Sequence, residues 1–295
     1  MKNENLNKFA EILRRAKLEK FAIGAFNFST LEQLRAIFEA AWEKRSPIIL
    51  QTSQSEAKFI GIQTAPGLVR LFQEKYKLPA IINLDHGKEI TIIKKAIEAG
   101  YDMVHFDGSG LELEENLTKT KEVLDYAHSH GVLVEGELGY LRGSSRIQEE
   151  TSFMSKEDYT KPEEAKQFVE KTGVDFLAIS VGNMHGILKN NPTNPPLDIE
   201  RIRAINDINN NAVFLTLHGG SGTDQSDIKH AVEAGITKIN INTELRLAYT
   251  KNLRISLDAN KEEITPYKYL KNSITETKKV VEDKISLFGS MGVSN

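Results

Sequence analysis

Three histidines sit in matching positions: His86, His185 and His218 lie just beyond short runs of apolar, largely β-branched or aromatic residues. Neutral imidazole is a common zinc ligand, and three protein ligands with positions left open is the catalytic arrangement of that metal. The chain has no cysteine, so any metal must be held by His, Asp, Glu or carbonyl oxygen. Asp85 adjoins His86 and has two readings: it exchanges a proton with a substrate, or it only orients the neighbouring imidazole. Asp107 and Glu137 likewise read either as oxygen ligands of a second metal position or as partners that orient ligands.

The segment His218–Gly222 (His, Gly, Gly, Ser, Gly) follows an apolar run and precedes a helical stretch starting near Asp224. Glycines let backbone amides approach an anion closely, so this turn is a candidate phosphate site, with Lys189 as a countercharge. Further polar residues close other runs: Asn27, Ser53, Ser109, Asn242 and Thr243. His105 falls inside a run, and His128, His130 and His230 fall on or at the ends of helices, so these four read as structural.

These residues need a frame, and eight apolar runs supply one: 21–26, 47–51, 80–84, 103–106, 132–135, 176–179, 213–217 and 238–241. They look uninterrupted rather than alternating, as in parallel strands buried on both faces. Their starts are about 31 residues apart on average, one βα unit each. Eight such units make a single α/β domain over 1–295, a (β/α)8 TIM barrel whose chemistry belongs at the carboxyl ends of the strands. The competing frame is a doubly wound open sheet, which has no need of eight strands. Between the runs, Ser29 and Glu32 form a capping-box pattern, followed by Leu31, Leu34, Phe38, Ala41 and Trp42 at helical spacing. Helical stretches end at Gly100, Gly131, Gly173 and Gly235, each an expected left-handed C-cap.

Two segments fall outside the repeat. The polar stretch from Leu138 to Thr160 is long for a connection and reads as a loop over the site. The part from Leu247 to Phe288 reads as extra helices, ended by Gly289. A formal net charge of −3 offers no basic footprint for nucleic acid. Charged residues break up the first 20 positions, and no apolar run approaches the roughly 20 residues needed to span a bilayer. The expected location is the cytoplasm.

In these stretches the sequence resembles the class II fructose/tagatose-bisphosphate aldolase family of zinc-dependent barrel enzymes. The matching segments are 24–27, 51–53, 84–87, 106–109, 135–139, 180–186, 217–222 and 238–246, in order over nearly the whole chain. The resemblance implies a metal-dependent aldolase that reversibly cleaves a ketose bisphosphate to dihydroxyacetone phosphate and an aldehyde. It implies His86, His185 and His218 as zinc ligands, with Asp107 and Glu137 at a second or alternative metal position. Asp85 then exchanges a proton with the C4 hydroxyl. Gly186, Lys189, Gly219, Ser221, Asn242 and Thr243 gather around the C1 phosphate, where carbonyls also hold a monovalent cation, and Asn27 and Ser53 contact substrate. Glu149, with Glu150 as the alternative, matches a loop glutamate that moves a proton to or from the intermediate. A homodimer or homotetramer is expected.

Near the end, where the family commonly has Asp-Pro-Arg-Lys, this chain has Thr265, Pro266, Tyr267 and Lys268, so an arginine that recognises the far phosphate is missing. Arg142 and Arg146 in the long loop are its expected replacements. The alternatives are a ketose 1-phosphate lacking that phosphate, or a non-catalytic metabolite-binding barrel. A Schiff-base aldolase needs a lysine within a barrel strand near the mouth. Lys238 is expected at a strand start, away from it.

Overall fold

All eight runs form strands, and the strands close on themselves. The computed structural model describes residues 2–139, 141, 143–149, 155–189, 194–210 and 212–294. In chain order the strands are β1 (Ile23–Asn27), β2 (Ile48–Ser53), β3 (Ala80–Gly87), β4 (Met103–Phe106), β5 (Leu133–Leu138), β6 (Gly143–Gln148), β7 (Phe176–Ile179), β8 (His185–Leu188), β9 (Phe214–Leu217) and β10 (Ile236–Ile241). The helices are α1 (Lys2–Glu19), α2 (Leu31–Lys44), α3 (Gln54–Ile60), α4 (Thr64–Tyr76), α5 (Ile90–Ala99), α6 (Leu113–Ser129), α7 (Pro162–Thr172), α8 (Ile199–Ile208), α9 (Gln225–Ala234), α10 (Thr243–Ala259), α11 (Pro266–Tyr269) and α12 (Lys271–Phe288). The barrel order is β1-β2-β3-β4-β5-β7-β9-β10, and parallel pairing of Ile23 with Lys238 and Phe26 with Ile241 returns it to β1. That closure excludes the open sheet.

Outward-facing strand residues such as Leu50, Ile82, Leu84, Val104, Val134, Leu215 and Ile239 pack with the helices in the main core. At the amino-terminal end the inward residues Ile23, Ala25, Ile49, Ile81, Met103 and Phe176 meet Phe9, Ile12, Leu13 and Ala16 of α1. Helix α1 thus forms an apolar floor. Above it the inward positions are polar: Gln51, Asn83, His105, Glu135, Thr216 and Lys238 are all fully buried. The reading of these runs as uninterrupted apolar strands therefore holds only for the outer face and the floor.

Three local expectations are corrected. The N-cap of α2 is Thr30, not Ser29: Thr30 Oγ1 accepts from Gln33 N at 3.3 Å, and Gln33 Oε1 reaches back to Ser29 N at 2.9 Å. Its buried stripe holds Leu34, Phe38 and Ala41, while Leu31 and Trp42 are about half exposed. The stretch after Leu138 is not all loop, because β6 pairs in parallel with β8, outside the barrel. Its polar sequence carries no burial pattern, so tertiary pairing rather than local propensity makes it a strand. The extra carboxyl-terminal helices are present as expected, with α12 packed on α2 and α10. Among the described residues, no helix is long and apolar enough to cross a membrane.

Candidate active site

Successive residues of a regular strand point to opposite faces, yet Asp85 and His86 both serve the barrel mouth. A bulge allows this. Between Leu84↔Val104 and Gly87↔Phe106, β3 advances three residues against two on β4, and His86 takes a left-handed φ of 49°. A non-glycine residue in that region costs on the order of 1–3 kcal/mol, a strain that tends to persist at functional sites. The His86 amide is anchored on His105 Nδ1 at 3.1 Å.

Three imidazoles then meet edge to face. The His86 ring centre is 4.8 Å from those of His185 and His218, which are 5.9 Å from each other, with interplanar angles of 70°, 84° and 76°. His86 Nδ1 lies 3.2 Å from Asp107 Oδ2, and His218 Nε2 lies 2.7 Å from Glu135 Oε1. Each carboxylate draws the ring proton to its own side. Lone pairs are left on His86 Nε2 and His218 Nδ1, which face each other at 3.1 Å. Two lone pairs at that separation repel unless a cation sits against both. Two nitrogens bound to one tetrahedral zinc at about 2.0–2.1 Å lie about 3.3 Å apart, so the donors fit such an ion.

Ligand atoms of Asp85, His86, His105 and His218 lie within 4.8 Å of one another, as do those of His86, Asp107 and Glu137. His185 shares the mouth but falls outside both atom groups. Asp107 is steadied by Ser109 Oγ at 2.6 Å. Glu137 Oε2 stands 3.8 Å from His86 Nδ1 and 3.0 Å from His105 Nε2. Since His105 Nδ1 accepts from the His86 amide, its proton belongs on Nε2, toward Glu137. His105 is thereby a buried partner of the site, inside its strand as expected.

Charge is distributed unevenly. Burial pushes the Asp85 carboxyl up, but His86, His105 and His218 outweigh it and hold Asp85 well below the usual carboxylate range. Burial opposes charge on His86 too, and Asp85, Asp107 and Glu137 overcome it, raising its pKa. His185 is pushed well below its ordinary value by burial and then by His86 and His218. Asp85 is oriented by two amides: Asn27 Nδ2 donates to Oδ2 at 3.2 Å and Asn240 Nδ2 to Oδ1 at 3.3 Å.

Beside this cluster lies a cleft lined by Asn27, Asp85, His86, His185, Gly186, Gly219, Ser221, Asn242 and Thr243, together with Ser145 and Asn240. Backbone approach dictates two of its glycines. A Cβ on Gly186 (φ 90°) would lie 2.4 Å from Arg146 O, and one on Gly219 (φ 67°) 2.0 Å from Met184 O. The Gly222 amide is engaged by Glu244 Oε1 at 2.8 Å and the Gly220 amide by Asn240 O at 3.1 Å. Gly219 and Ser221 are the turn residues that reach the cleft.

Of the expected site residues, His218, Asp107, Glu137, Ser53, Lys189 and Glu149 lie outside that lining, the first three within the cluster beside it. Ser53 caps α3, its Oγ accepting from Glu56 N at 3.3 Å. Lys189 and Glu149 form an exposed ion pair at 2.9 Å, just past the ends of β8 and β6. Arg146 is exposed on β6, while Arg142 and Glu150 fall outside the described residues.

The family model for class-II fructose-bisphosphate aldolase matches residues 7–293. A fructose-bisphosphate aldolase of Thermus caldophilus is 38% identical, with 96% of this chain and 97% of that one covered. The YdjI aldolase of Escherichia coli K12 superposes with a TM-score of 0.79 at 31% identity, covering 96% of this chain and 97% of the other. A putative fructose-1,6-bisphosphate aldolase structure from Coccidioides immitis gives 0.84 at 27% identity, covering 97% of each. The chain belongs to the class II fructose-bisphosphate aldolase family. The protein is therefore an aldolase, a lyase acting on a carbon–carbon bond, and its family is metal-dependent.

Several of this aldolase's site residues were missed in the sequence. Glu135 holds His218, Thr216 Oγ1 (2.9 Å) and Lys238 Nζ (2.9 Å) together. Lys238 is the third residue of β10 rather than a strand start, and its amine is bound between Glu135 and Asn240 Oδ1. Asn240, which the sequence reading did not single out, contacts Asp85, while the expected Asn242 lies in the cleft lining at the start of α10. A signal existed: Asn83/Asp85, Glu135/Glu137, Thr216/His218 and Lys238/Asn240 each alternate with apolar neighbours, marking one polar face per strand.

Proposed function

We propose that this aldolase reversibly cleaves fructose 1,6-bisphosphate to dihydroxyacetone phosphate and glyceraldehyde 3-phosphate. The meeting of His86, His185 and His218 in one imidazole cluster, with Asp85, His86 and His185 lining the cleft beside it, carries the reading, and the fructose-bisphosphate relatives support it. The proposed metal is zinc, held by the three histidines, since a nitrogen donor set without thiolate suits it. When bound, it supplies Lewis-acid polarisation of the substrate carbonyl. Asp107 and Glu137 serve as partners to the ligands or as a second position for the ion.

The C1 phosphate sits at Gly186, Gly219, Ser221, Asn242 and Thr243, which brings the C4 hydroxyl to Asp85. Asp85 is ionised and held by two amides, so it accepts the C4 proton as the C3–C4 bond breaks and the aldehyde forms. The electron pair stays on the other fragment as an enediolate, which a proton from Glu149 converts to dihydroxyacetone phosphate. Glu149 reaches the cleft when its pair with Lys189 opens, and Lys189 is then free to serve the phosphate. Asn27 and Ser53 serve as substrate-contacting residues, with Arg142 and Arg146 as the cationic grip on the far phosphate. A monovalent cation belongs near Asn242, whose buried Oδ1 has no hydrogen-bond partner.

We further propose a single catalytic domain in a cytoplasmic homodimer or homotetramer. Exposed Ile255, Leu257, Ile264 and Tyr267, on and beside α10 and α11, are apolar surface that supports association. The test of the mechanism is Asp85→Asn: metal content and solvent exchange of the dihydroxyacetone phosphate C3 proton persist, and bisphosphate cleavage is lost. Near-parental cleavage contradicts the role of Asp85.

A further inference from the structure

The Asn27 amide lies between two carboxylates. Its Nδ2 donates to Asp85 Oδ2 at 3.2 Å and to Glu56 Oε2 at 3.0 Å, while its Oδ1 accepts from Gln51 Nε2 at 3.1 Å. Gln51 is fixed in turn by Asn83 Nδ2 at 2.9 Å. Both amide protons and the carbonyl of Asn27 are engaged, so the group cannot turn without breaking this set. Glu56 is buried, and its second oxygen accepts from Arg246 Nη2 at 2.6 Å. Arg246 Nη1 reaches Ser145 O at 3.0 Å, on the strand that lies over the cleft.

We propose that Glu56 and Arg246 are positioning residues for Asp85, acting through Asn27. The inference rests on the aldol-cleavage reading of this site and adds two residues to it. The two protons of one amide nitrogen point in fixed, divergent directions, so where Glu56 holds one proton decides where the other meets Asp85. With Asn240 on Oδ1, that contact sets the plane of the carboxylate and leaves one lone-pair direction for the C4 hydroxyl. Arg246 keeps Glu56 from turning away and ties it to the β6 backbone. Charge strengthens each of these bonds, because the acceptor is a carboxylate and one donor is a guanidinium.

Bracing of α3 against α10 alone would give the pair a structural role, and the two halves of the reaction separate these cases. Cleavage requires Asp85, whereas exchange of the dihydroxyacetone phosphate C3 proton requires only enediolate formation. Glu56→Gln preserves the Ser53 capping box, in which Gln is also accepted, so α3 stays intact. In that variant, kcat for fructose 1,6-bisphosphate cleavage falls about tenfold, as for a weakened charge-assisted hydrogen bond. Exchange stays within about twofold and metal content is unchanged. Arg246→Met shows the same split, and Arg246→Lys, which keeps the ion pair with Glu56, restores most of the cleavage rate. Parallel loss of cleavage and exchange, or cleavage within about twofold of the parent in both Glu56→Gln and Arg246→Met, overturns the proposal. A parent chain inactive in both reactions overturns the aldol reading beneath it, which is a separate result.

Discussion

Replacing Lys238 with Met probes the polar middle of the barrel, where the aldolase holds a full ion pair out of water. Lys238 and Glu135 are both fully buried, with Nζ 2.9 Å from Oε2. Without the ammonium, Glu135 keeps its hydrogen bonds with Thr216 at 2.9 Å and His218 at 2.7 Å. Removing one partner of a buried pair costs about 3–5 kcal/mol, because the other charge remains in a low dielectric. That is a large share of a native stability of about 5–15 kcal/mol. With a urea slope of about 1–3 kcal/mol per molar, rising with chain size, the midpoint should fall by about 1–2 M. Adding Glu135→Gln removes the stranded charge and leaves an amide oxygen for His218, so the double variant should recover much of the loss. Urea unfolding of metal-free protein, followed by far-ultraviolet circular dichroism, gives both numbers. A Lys238→Met midpoint indistinguishable from the parent, or a double variant less stable than the single, shows that the cost of a stranded Glu135 charge does not govern the barrel's stability.

Two further outcomes follow from the site. His86→Ala, His185→Ala and His218→Ala should each lower the zinc bound per chain, measured by elemental analysis after loading, and full occupancy in any of them removes that residue from the ligand set. Glu149→Gln should slow solvent exchange of the dihydroxyacetone phosphate C3 proton by about 10²-fold or more, the usual worth of a positioned acid–base group. Unchanged exchange in this variant transfers the role to another residue.

The barrel was legible because the βα units repeat the same signals, an apolar run, a polar residue near its end and a helix, and α5, α7 and α9 add a glycine stop. Asp85, His86 and His218 could be placed for the same reason, as strand-end residues have one mouth to face. The bulge that turns Asp85 and His86 to the same side was not legible, because it depends on the β3–β4 register and not on local propensity. Glu56 and Arg246 were hidden differently. Each lies on a helix after its strand, and only barrel closure between β1 and β10 brings α3 and α10 together. The β6–β8 pair was hidden because its residues, Gly143 to Gln148, gain strand geometry from their partner alone. Helix α1 went unread because its stripe of Phe9, Ile12, Leu13 and Ala16 makes sense only against a barrel floor.

The proposed activity is metal-dependent cleavage of fructose 1,6-bisphosphate in the cleft beside the His86, His185 and His218 cluster. Coupled detection of the triose phosphates released by the purified chain, before chelation, after chelation and after zinc is restored, tests it most directly. Turnover that chelation abolishes and zinc returns is the expected result. Turnover that survives complete removal of metal, or no triose phosphate from the zinc-loaded chain, contradicts it.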